Sequence, residues 1–196
     1  KKGNCGRMIT NLYILICLII FVYIQFINKE DKLYCAMKLG AFYPPNVREK
    51  KEYYRFITCN FIHIDFIHFL MNAYILYDLG QFFESLLGIM PYLYLIFISM
   101  ILSSLLCYSA SEVSEQSNHT ITFGASGVAY GFFGAIVALA FIHGGAFYEL
   151  FESFFPIIAI NFVYTIFNSR VSKTGHLGGF IGGILSIVIL MALKLI

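Results

Sequence analysis

A serine and a histidine stand near the predicted starts of two apolar segments of this chain. Ser126 lies in a Gly-Ala-Ser-Gly sequence, and His176 lies in a Gly-His-Leu-Gly-Gly sequence. Polar and ionisable side chains are costly inside a lipid bilayer, so an apolar segment that carries them is a candidate functional site. A histidine that is hydrogen-bonded to a serine can remove its proton and make it a nucleophile. The two residues therefore predict nucleophilic catalysis inside a membrane.

A third apolar segment carries two possible hydrogen-bond donors, His68 and Asn72. They are four residues apart, so they share one face of a helix. Acyl transfer needs donors that point at the oxyanion of the tetrahedral intermediate. Taken alone, the pair would be interpreted as hydrogen bonding between neighbouring helices. Beside Ser126 and His176, we favour the oxyanion role.

Glycines accompany both candidate catalytic residues and are assigned to helix packing, namely Gly124, Gly127 and Gly131 around the serine and Gly179 and Gly183 after the histidine. Small residues four apart let two helices approach closely in a membrane. On their own they would be ordinary helix-packing glycines, but a hydrogen bond between Ser126 and His176 needs such an approach. Tyr130 lies four residues after Ser126, so we expect its ring to face the same site and to pack on the imidazole.

The remaining polar residues of these segments are interpreted as structural. His63 is five residues before His68, and on a helix it would point away from it, so we expect it to anchor the entrance of the loop. Asp65 is interpreted as a solvated surface residue rather than a third member of a triad. Arg55 and Glu84 either brace the loop and the end of the second helix or extend their charges to the membrane surface.

The composition is that of a membrane protein. Of the 196 residues, 59% are hydrophobic and 12% are charged, and the mean hydropathy is +0.78. Soluble domains carry roughly 25% charged residues, and half that value together with long apolar runs indicates a polytopic membrane protein. The net charge of +2 is too small to indicate a nucleic-acid-binding protein. The five cysteines match no metal or redox motif, so we expect no metal; a disulfide between Cys35 and Cys59 stays open.

Six apolar segments are predicted, at about 8–27, 61–79, 91–108, 126–142, 150–167 and 176–196. Most approach the roughly 20 residues that a helix needs to cross a bilayer. The first is too long for a signal peptide and no cleavage site follows, so it is interpreted as a retained helix. The sequence thus predicts an all-α polytopic membrane protein, a bundle of six transmembrane helices in one domain over 1–196, with a long loop at 28–60.

The parity of the segments brings the candidate residues together. The second, fourth and sixth segments enter the membrane from the same side, opposite the N-terminus. Their polar residues all stand near the segment starts, so we expect them to meet at one depth, in one leaflet. A transporter or channel is less favoured, because its polar residues would follow the full membrane depth or occur in inverted repeats.

The positive charges give conflicting indications of the orientation in the membrane. Short loops rich in Lys and Arg stay on the cytoplasmic side. The loops on the side of the candidate site hold most of these cations, which would place the N-terminus outside. The flank formed by Lys1, Lys2 and Arg7 argues weakly for the opposite orientation.

With these motifs in order, the chain resembles the rhomboid family of intramembrane serine proteases over nearly its whole length. The matching pieces are the Gly-Ala-Ser-Gly sequence from Gly124 with Tyr130, the His-x4-His-x3-Asn sequence from His63, and Gly-His-x2-Gly-x3-Gly from Gly175. Tyr54-Arg55 is a weaker match, since the family often has Trp-Arg there. The Tyr54 replacement and the absence of tryptophan leave the docking of the loop in question, not the serine and histidine.

The resemblance implies a nucleophile, Ser126, and a general base and acid, His176, without an aspartate. It implies an oxyanion hole of His68, Asn72 and the backbone N–H of Ser126, and a role for Tyr130 in orienting the histidine. The loop 28–60 would lie in the outer leaflet, 168–174 would cap the site, and the second and fifth helices would form a gate for substrates.

The resemblance also implies partners and a location. The substrates would be transmembrane proteins in the lipid bilayer, and no cofactor would be needed. The family's cytoplasmic N-terminus is adopted over the charge count, and the lack of appended domains favours a bacterial inner (plasma) membrane. The alternative is a catalytically inactive rhomboid-like protein that binds membrane clients, although such a protein would be expected to have lost Ser126 or His176.

Overall fold

The computed structural model describes residues 8–168 and 171–196, and the regular structure of that part is helical. The helices are α1 (Met8–Val22), α2 (Lys32–Leu39), α3 (Pro44–Lys50), α4 (Arg55–Thr58), α5 (Phe66–Ile75), α6 (Gln81–Leu87), α7 (Ile89–Ser111), α8 (Glu115–Asn118), α9 (Ser126–His143), α10 (Ala146–Phe167) and α11 (Lys173–Ala192). Cys5 and the three cations of the N-terminal flank lie outside the described residues, as does Arg170.

Five helical stretches in the described residues are long and apolar enough to cross a membrane, and a bent pair supplies a sixth. The prediction of an all-α polytopic membrane protein is confirmed. The first predicted segment matches α1 and the π-helical turn Tyr23–Ile27 that continues it. The fourth matches α9, and the third, fifth and sixth match α7, α10 and α11 with ends that differ by a few residues.

The second predicted segment, at about 61–79, does not match the helix in the structure. Its helix does not begin at Phe61 but at Phe66, because the Asp65 carboxylate caps it by accepting the backbone N–H of His68 at 2.8 Å. The chain before it, Arg55–Phe61, makes an angle of 99° with it. The helix then continues without a break through the π-helical turn Leu76–Gly80 and α6, so it also ends later than the predicted segment, at Leu87 instead of residue 79.

Helix α11 packs tightly between α7 and α9 through opposite rows of glycines. A Cβ on Gly179 or Gly183 would overlap the backbone of α9, at the carbonyl oxygens of Gly127 and Gly131 respectively. A Cβ on Gly178 would overlap the backbone of α7. The close helix approach that the glycine spacing predicts is therefore present, and it brings the start of α11 to the start of α9.

The long loop is folded rather than extended. It contains α2, α3 and α4, and its apolar side chains form two small clusters against the bundle. Arg55 is only 4% exposed and ties the loop together, donating to the Glu52 carboxylate at 2.6 Å and to the carbonyl oxygens of Met37 and Ala41 at 2.9 and 2.6 Å. Arg55 is thus a brace of the loop and not a surface charge.

Glu84 and the described cysteines are buried. Glu84, on α6, is 1% exposed and accepts the backbone N–H groups of Ile9 and Thr10 at the start of α1, each at 2.9 Å. The alternative of a surface charge is therefore wrong for Glu84. Cys35 and Cys59 are both free thiols, so the disulfide that the sequence left open is not formed.

Candidate active site

Ser126 and His176 are hydrogen-bonded to each other. The Ser126 Oγ lies 2.9 Å from His176 Nε2. Ser126 is the first residue of α9, and His176 is the fourth residue of α11. Only 7% of His176 is exposed. The glycine contacts between α9 and α11 hold the two side chains at this distance.

Tyr130 covers one face of the imidazole. The ring centroids of Tyr130 and His176 are 4.1 Å apart, and the ring planes differ by 15°. Stacked rings at this separation make a favourable contact and restrict rotation of the histidine about its side-chain bonds. The expected position of the Tyr130 ring on the imidazole is what the structure has.

The second nitrogen of His176 has a partner that the sequence analysis missed. The Thr165 Oγ1 lies 2.7 Å from His176 Nδ1, and it is also 2.5 Å from the Tyr130 hydroxyl. The Tyr130 hydroxyl in turn donates to the carbonyl oxygen of Asn161 at 2.6 Å. Asn161 and Thr165 are polar residues four apart in an apolar segment, so the rule that singled out His68 and Asn72 would also have found them.

His63 lies beside the site, and the expectation that it points away from His68 is wrong. The centroids of the two imidazole rings are 5.3 Å apart. The helical spacing does not apply to His63, since it precedes the helix that begins at Phe66. Its Nε2 lies 3.0 Å from Asn72 Nδ2 and accepts the backbone N–H of Ala125 at 3.2 Å. His63 therefore orients Asn72 and the turn that leads into α9.

His68 lies against the turn before Ser126. Gly124 lies in this turn and not in a helix, so its assignment to helix packing is wrong; its φ of +118° is one that a residue with a side chain rarely adopts. A Cβ at that position would stand 2.7 Å from His68 Cε1 and 3.6 Å from Asn72 Nδ2. The glycine thus lets both donors approach the start of α9, where the first backbone N–H groups of a helix have no acceptor within the helix.

Two cavities meet at Ser126, His176 and His68. The larger, about 470 Å³, lies between α5 and α10 and is lined by side chains such as Met71, Tyr130 and Tyr164. The smaller, about 110 Å³, has a more polar wall that includes Ser103, Ser104 and Cys107. Among the described residues, no group of three or more His, Cys, Asp or Glu side chains is placed to hold a metal ion.

The chain is similar to proteins of one family. A family model described as the Rhomboid domain matches residues 50–193. The chain is 25% identical over 192 residues to the Rhomboid protease GlpG of Haemophilus influenzae, covering 94% of this chain and 90% of that protein. It is 33% identical over 152 residues to RHOMBOID-like protein 1 of Arabidopsis thaliana, covering 76% of this chain and 37% of that protein.

A third relative is the Rhomboid protease GluP of Bacillus subtilis, 27% identical over 133 residues, which are 67% of this chain and 25% of that protein. The chain therefore spans nearly all of the Haemophilus protein but well under half of the Bacillus and Arabidopsis proteins. Since the family model matches most of the chain, this membrane protein belongs to the rhomboid family.

Proposed function

We propose that the protein is an intramembrane serine endopeptidase that cleaves the transmembrane helices of other membrane proteins with Ser126 and His176. The observation that carries the proposal is the 2.9 Å hydrogen bond between Ser126 Oγ and His176 Nε2 at the meeting point of the two cavities. Relatives that are named rhomboid proteases support it. It goes beyond family membership, which does not by itself imply activity.

In the proposed reaction, Ser126 Oγ attacks the carbonyl carbon of a substrate peptide bond while His176 Nε2 takes the hydroxyl proton. The tetrahedral intermediate collapses when His176 returns that proton to the leaving amine, which leaves an acyl ester on the serine. A water molecule then attacks the ester, His176 accepts its proton, and the carboxyl product is released with the serine restored. No cofactor takes part in this sequence.

The negative oxygen of the intermediate needs donors that are in place before the reaction. His68, Asn72 and the backbone N–H of Ser126 are the proposed donors, because His68 and Asn72 stand beside Gly124 and Ser126 begins α9. The partial positive charge of the N-terminal end of α9 acts in the same direction. One such donor contributes roughly 100- to 1,000-fold in rate.

The two cavities suggest separate paths for substrate and water. The larger cavity between α5 and α10 is the proposed entrance for a substrate helix from the bilayer, which agrees with a gate formed by the second and fifth membrane helices. The smaller cavity, with its serine hydroxyl groups, is suited to hold the water that deacylation consumes.

We further propose that the site faces the non-cytoplasmic side, with the N-terminus in the cytoplasm, and that the protein acts in a bacterial plasma membrane. The orientation comes from the family resemblance. Relatives occur in a plant as well as in bacteria, so the kind of membrane is a proposal independent of the chemistry.

The proposal is tested by cleavage of a single-span membrane protein in liposomes. Ser126→Ala and His176→Ala should each lower the rate by at least about 1,000-fold. Ser186→Ala is the matched control, since it removes a buried hydroxyl of α11 that donates to the carbonyl of Gly182 in the same helix. Cleavage that survives in Ser126→Ala would remove the nucleophile assignment.

A fluorophosphonate probe supplies a second measurement. It should label the unmodified protein at Ser126 and leave Ser126→Ala unlabelled. If the unmodified protein neither cleaves several substrates nor reacts with the probe, the proposal is wrong, and the client-binding alternative becomes the better interpretation.

A further inference from the structure

Thr165 occupies an unusual position in the bundle. Helix α10 is mostly exposed to the membrane, with 11% of its apolar stretch buried, compared with 72% for α9. Its two buried residues in the described structure are Ile158 and Thr165. Thr165 is 6% exposed, and its hydroxyl faces the imidazole of His176. A loosely packed helix therefore places one of its few buried side chains on the proposed general base.

The hydrogen bonds around Thr165 have only one consistent direction once His176 acts as a base. To accept the proton of Ser126, His176 Nε2 must be bare, so the neutral ring carries its hydrogen on Nδ1. That hydrogen is then donated to Thr165 Oγ1. The Thr165 hydroxyl, whose oxygen is 2.5 Å from the Tyr130 oxygen, donates to Tyr130.

This series of hydrogen bonds ends at the carbonyl oxygen of Asn161, a group that can only accept. The Tyr130 hydroxyl uses its own hydrogen on the carbonyl oxygen of Asn161, at 2.6 Å. Because a carbonyl oxygen has no hydrogen to give, the Tyr130 oxygen is left as an acceptor for Thr165. The Thr165 oxygen is in turn left as an acceptor for His176. The opposite tautomer would place Thr165 between two acceptors, His176 Nδ1 and Tyr130, with one hydrogen for both.

We propose that Thr165 is a positioning residue that fixes His176 in the tautomer with Nδ1 protonated and Nε2 free to take the proton of Ser126. It fills the place at Nδ1 that an aspartate occupies in a Ser-His-Asp triad, but as a neutral group. Tyr130 also takes part in this series of hydrogen bonds through its hydroxyl, in addition to stacking its ring on His176. The expected effect of Thr165 on the cleavage rate rests on the proposed function. The assignment of the His176 tautomer rests only on the hydrogen bonds.

Thr165→Val tests the proposal, because valine keeps the shape of the side chain and removes the hydroxyl. We expect kcat for cleavage in liposomes to fall about 10- to 100-fold with KM little changed, since a misplaced catalytic group can cost two orders of magnitude. Thr165→Ser restores the hydroxyl and should recover most of the rate. Ser186→Ala, a buried hydroxyl deletion outside the site, should leave kcat unchanged.

A measurement that does not depend on cleavage is ¹⁵N NMR of the histidine rings in detergent micelles. The signals of His176 are identified by their loss in His176→Gln. The unmodified protein and Thr165→Ser should show His176 protonated on Nδ1, and Thr165→Val should show a mixture of tautomers. Should Thr165→Val fail to fold, Tyr130→Phe keeps the test, since it retains the stacked ring but frees the Thr165 hydroxyl to donate to Nδ1.

The outcomes separate this proposal from the function it rests on. If the unmodified protein cleaves but Thr165→Val has the same kcat and the same tautomer, Thr165 is not a positioning residue. An unmodified protein with Nε2 of His176 protonated would overturn the proposal as well. If the protein cleaves no substrate while Thr165→Val still changes the tautomer, the proposed function fails and the assignment of Thr165 stands.

Discussion

At the scale of single residues, Glu84 shows most clearly how a buried polar group of the bundle is held by its partners. Its two carboxylate oxygens accept the N–H groups of Ile9 and Thr10, and one of them also accepts the Thr10 hydroxyl at 2.7 Å. These N–H groups belong to the first described turn of α1, which has no acceptor within its own helix. Glu84 therefore caps α1 from another helix.

Glu84→Gln should destabilise the protein by about 1.5–3 kcal/mol, the usual worth of hydrogen bonds to a charged group. One carboxylate oxygen would be replaced by an amide NH₂, which is a donor facing a donor. The measurement is thermal or denaturant unfolding in detergent. Glu152→Gln, which changes an exposed carboxylate of α10, is the control and should have little effect. Equal stability of the two variants would show that Glu84 does not hold α1.

Several residues of the site could be predicted from the sequence because the helical period alone determines their geometry. Tyr130 follows Ser126 by four residues on one continuous helix, and its stacking on His176 agrees with that spacing. His63 could not be predicted in this way, since a turn and not a helix carries it. The spacing of Asn161 and Thr165 marks Thr165 as a candidate, but its partner could not be predicted, since the contact with His176 joins α10 to α11 and no local spacing shows it.

At the scale of elements, the position of α11 depends on contacts between backbones. Gly183 meets the carbonyl of Gly131 on α9, whereas Gly131 itself meets the side chain of Ser99 on α7. Backbone cannot give way as a side chain can. The two glycines therefore differ in how easily the protein accepts a methyl group, although the sequence pattern treats them alike.

Gly183→Ala should be strongly destabilising, by about 1–3 kcal/mol or more, as is typical of overpacking. Gly131→Ala should be rescued in large part by Ser99→Gly, because that change removes the two atoms that a new Cβ would overlap and leaves the Gly179 carbonyl oxygen at 3.4 Å, an ordinary contact. Ser99→Gly should not rescue Gly183→Ala. Unfolding in detergent micelles measures all four variants. Rescue of both glycine variants would mean that the helices separate freely and that the backbone contact is not limiting.

The long loop allows a prediction about pH. The Arg55 guanidinium, which donates to Glu52, holds the pKa of that carboxyl below its usual value of 4.5. A lowered pKa adds stability that is present above the unfolded value and lost as the pH falls through the folded value. Glu52→Gln should therefore be less stable than the unmodified protein at neutral pH, and the difference should shrink below about pH 4.

Unfolding curves across this pH range measure the effect. Glu30→Gln is the control, because Glu30 pairs with Lys38 at an exposed site where both side chains are about half exposed. Exposed pairs contribute little, so that variant should stay close to the unmodified protein at every pH. If the loss of stability in Glu52→Gln were the same at every pH, the ion pair with Arg55 would not be its cause.

The order of the elements could be predicted better than their ends. Long apolar runs mark membrane helices whatever their neighbours are, so α1, α7 and α9–α11 are found in the predicted places. The start of the second membrane helix was predicted too early, because apolar residues surround His63 and Asp65 on both sides and a 99° bend leaves no mark in composition. Its cap, Asp65, is the signal that would have placed it.

At the scale of the whole molecule, the charge rule and the family resemblance give opposite orientations. Nine of the 13 lysines and arginines lie in loops on the side of the site. Eight of these nine lie in the described residues, and three of the eight are in ion pairs, Lys38 with Glu30, Arg48 with Glu112 and Arg55 with Glu52. Pairing lowers the positive charge that would have to cross the membrane, although the rule itself counts cations alone.

On the family resemblance, we expect the site side to face away from the cytoplasm, and single cysteines can show this. In a Cys5→Ser background the four other cysteines are buried, so a maleimide that does not cross membranes should react only with an introduced thiol. Gln116→Cys, exposed in α8 on the site side, should react in intact cells. His143→Cys, exposed at the opposite end of α9, should react only after permeabilisation. The reverse pattern would mean that the charge count determines the orientation and that Ser126 meets its substrates from the cytoplasmic leaflet.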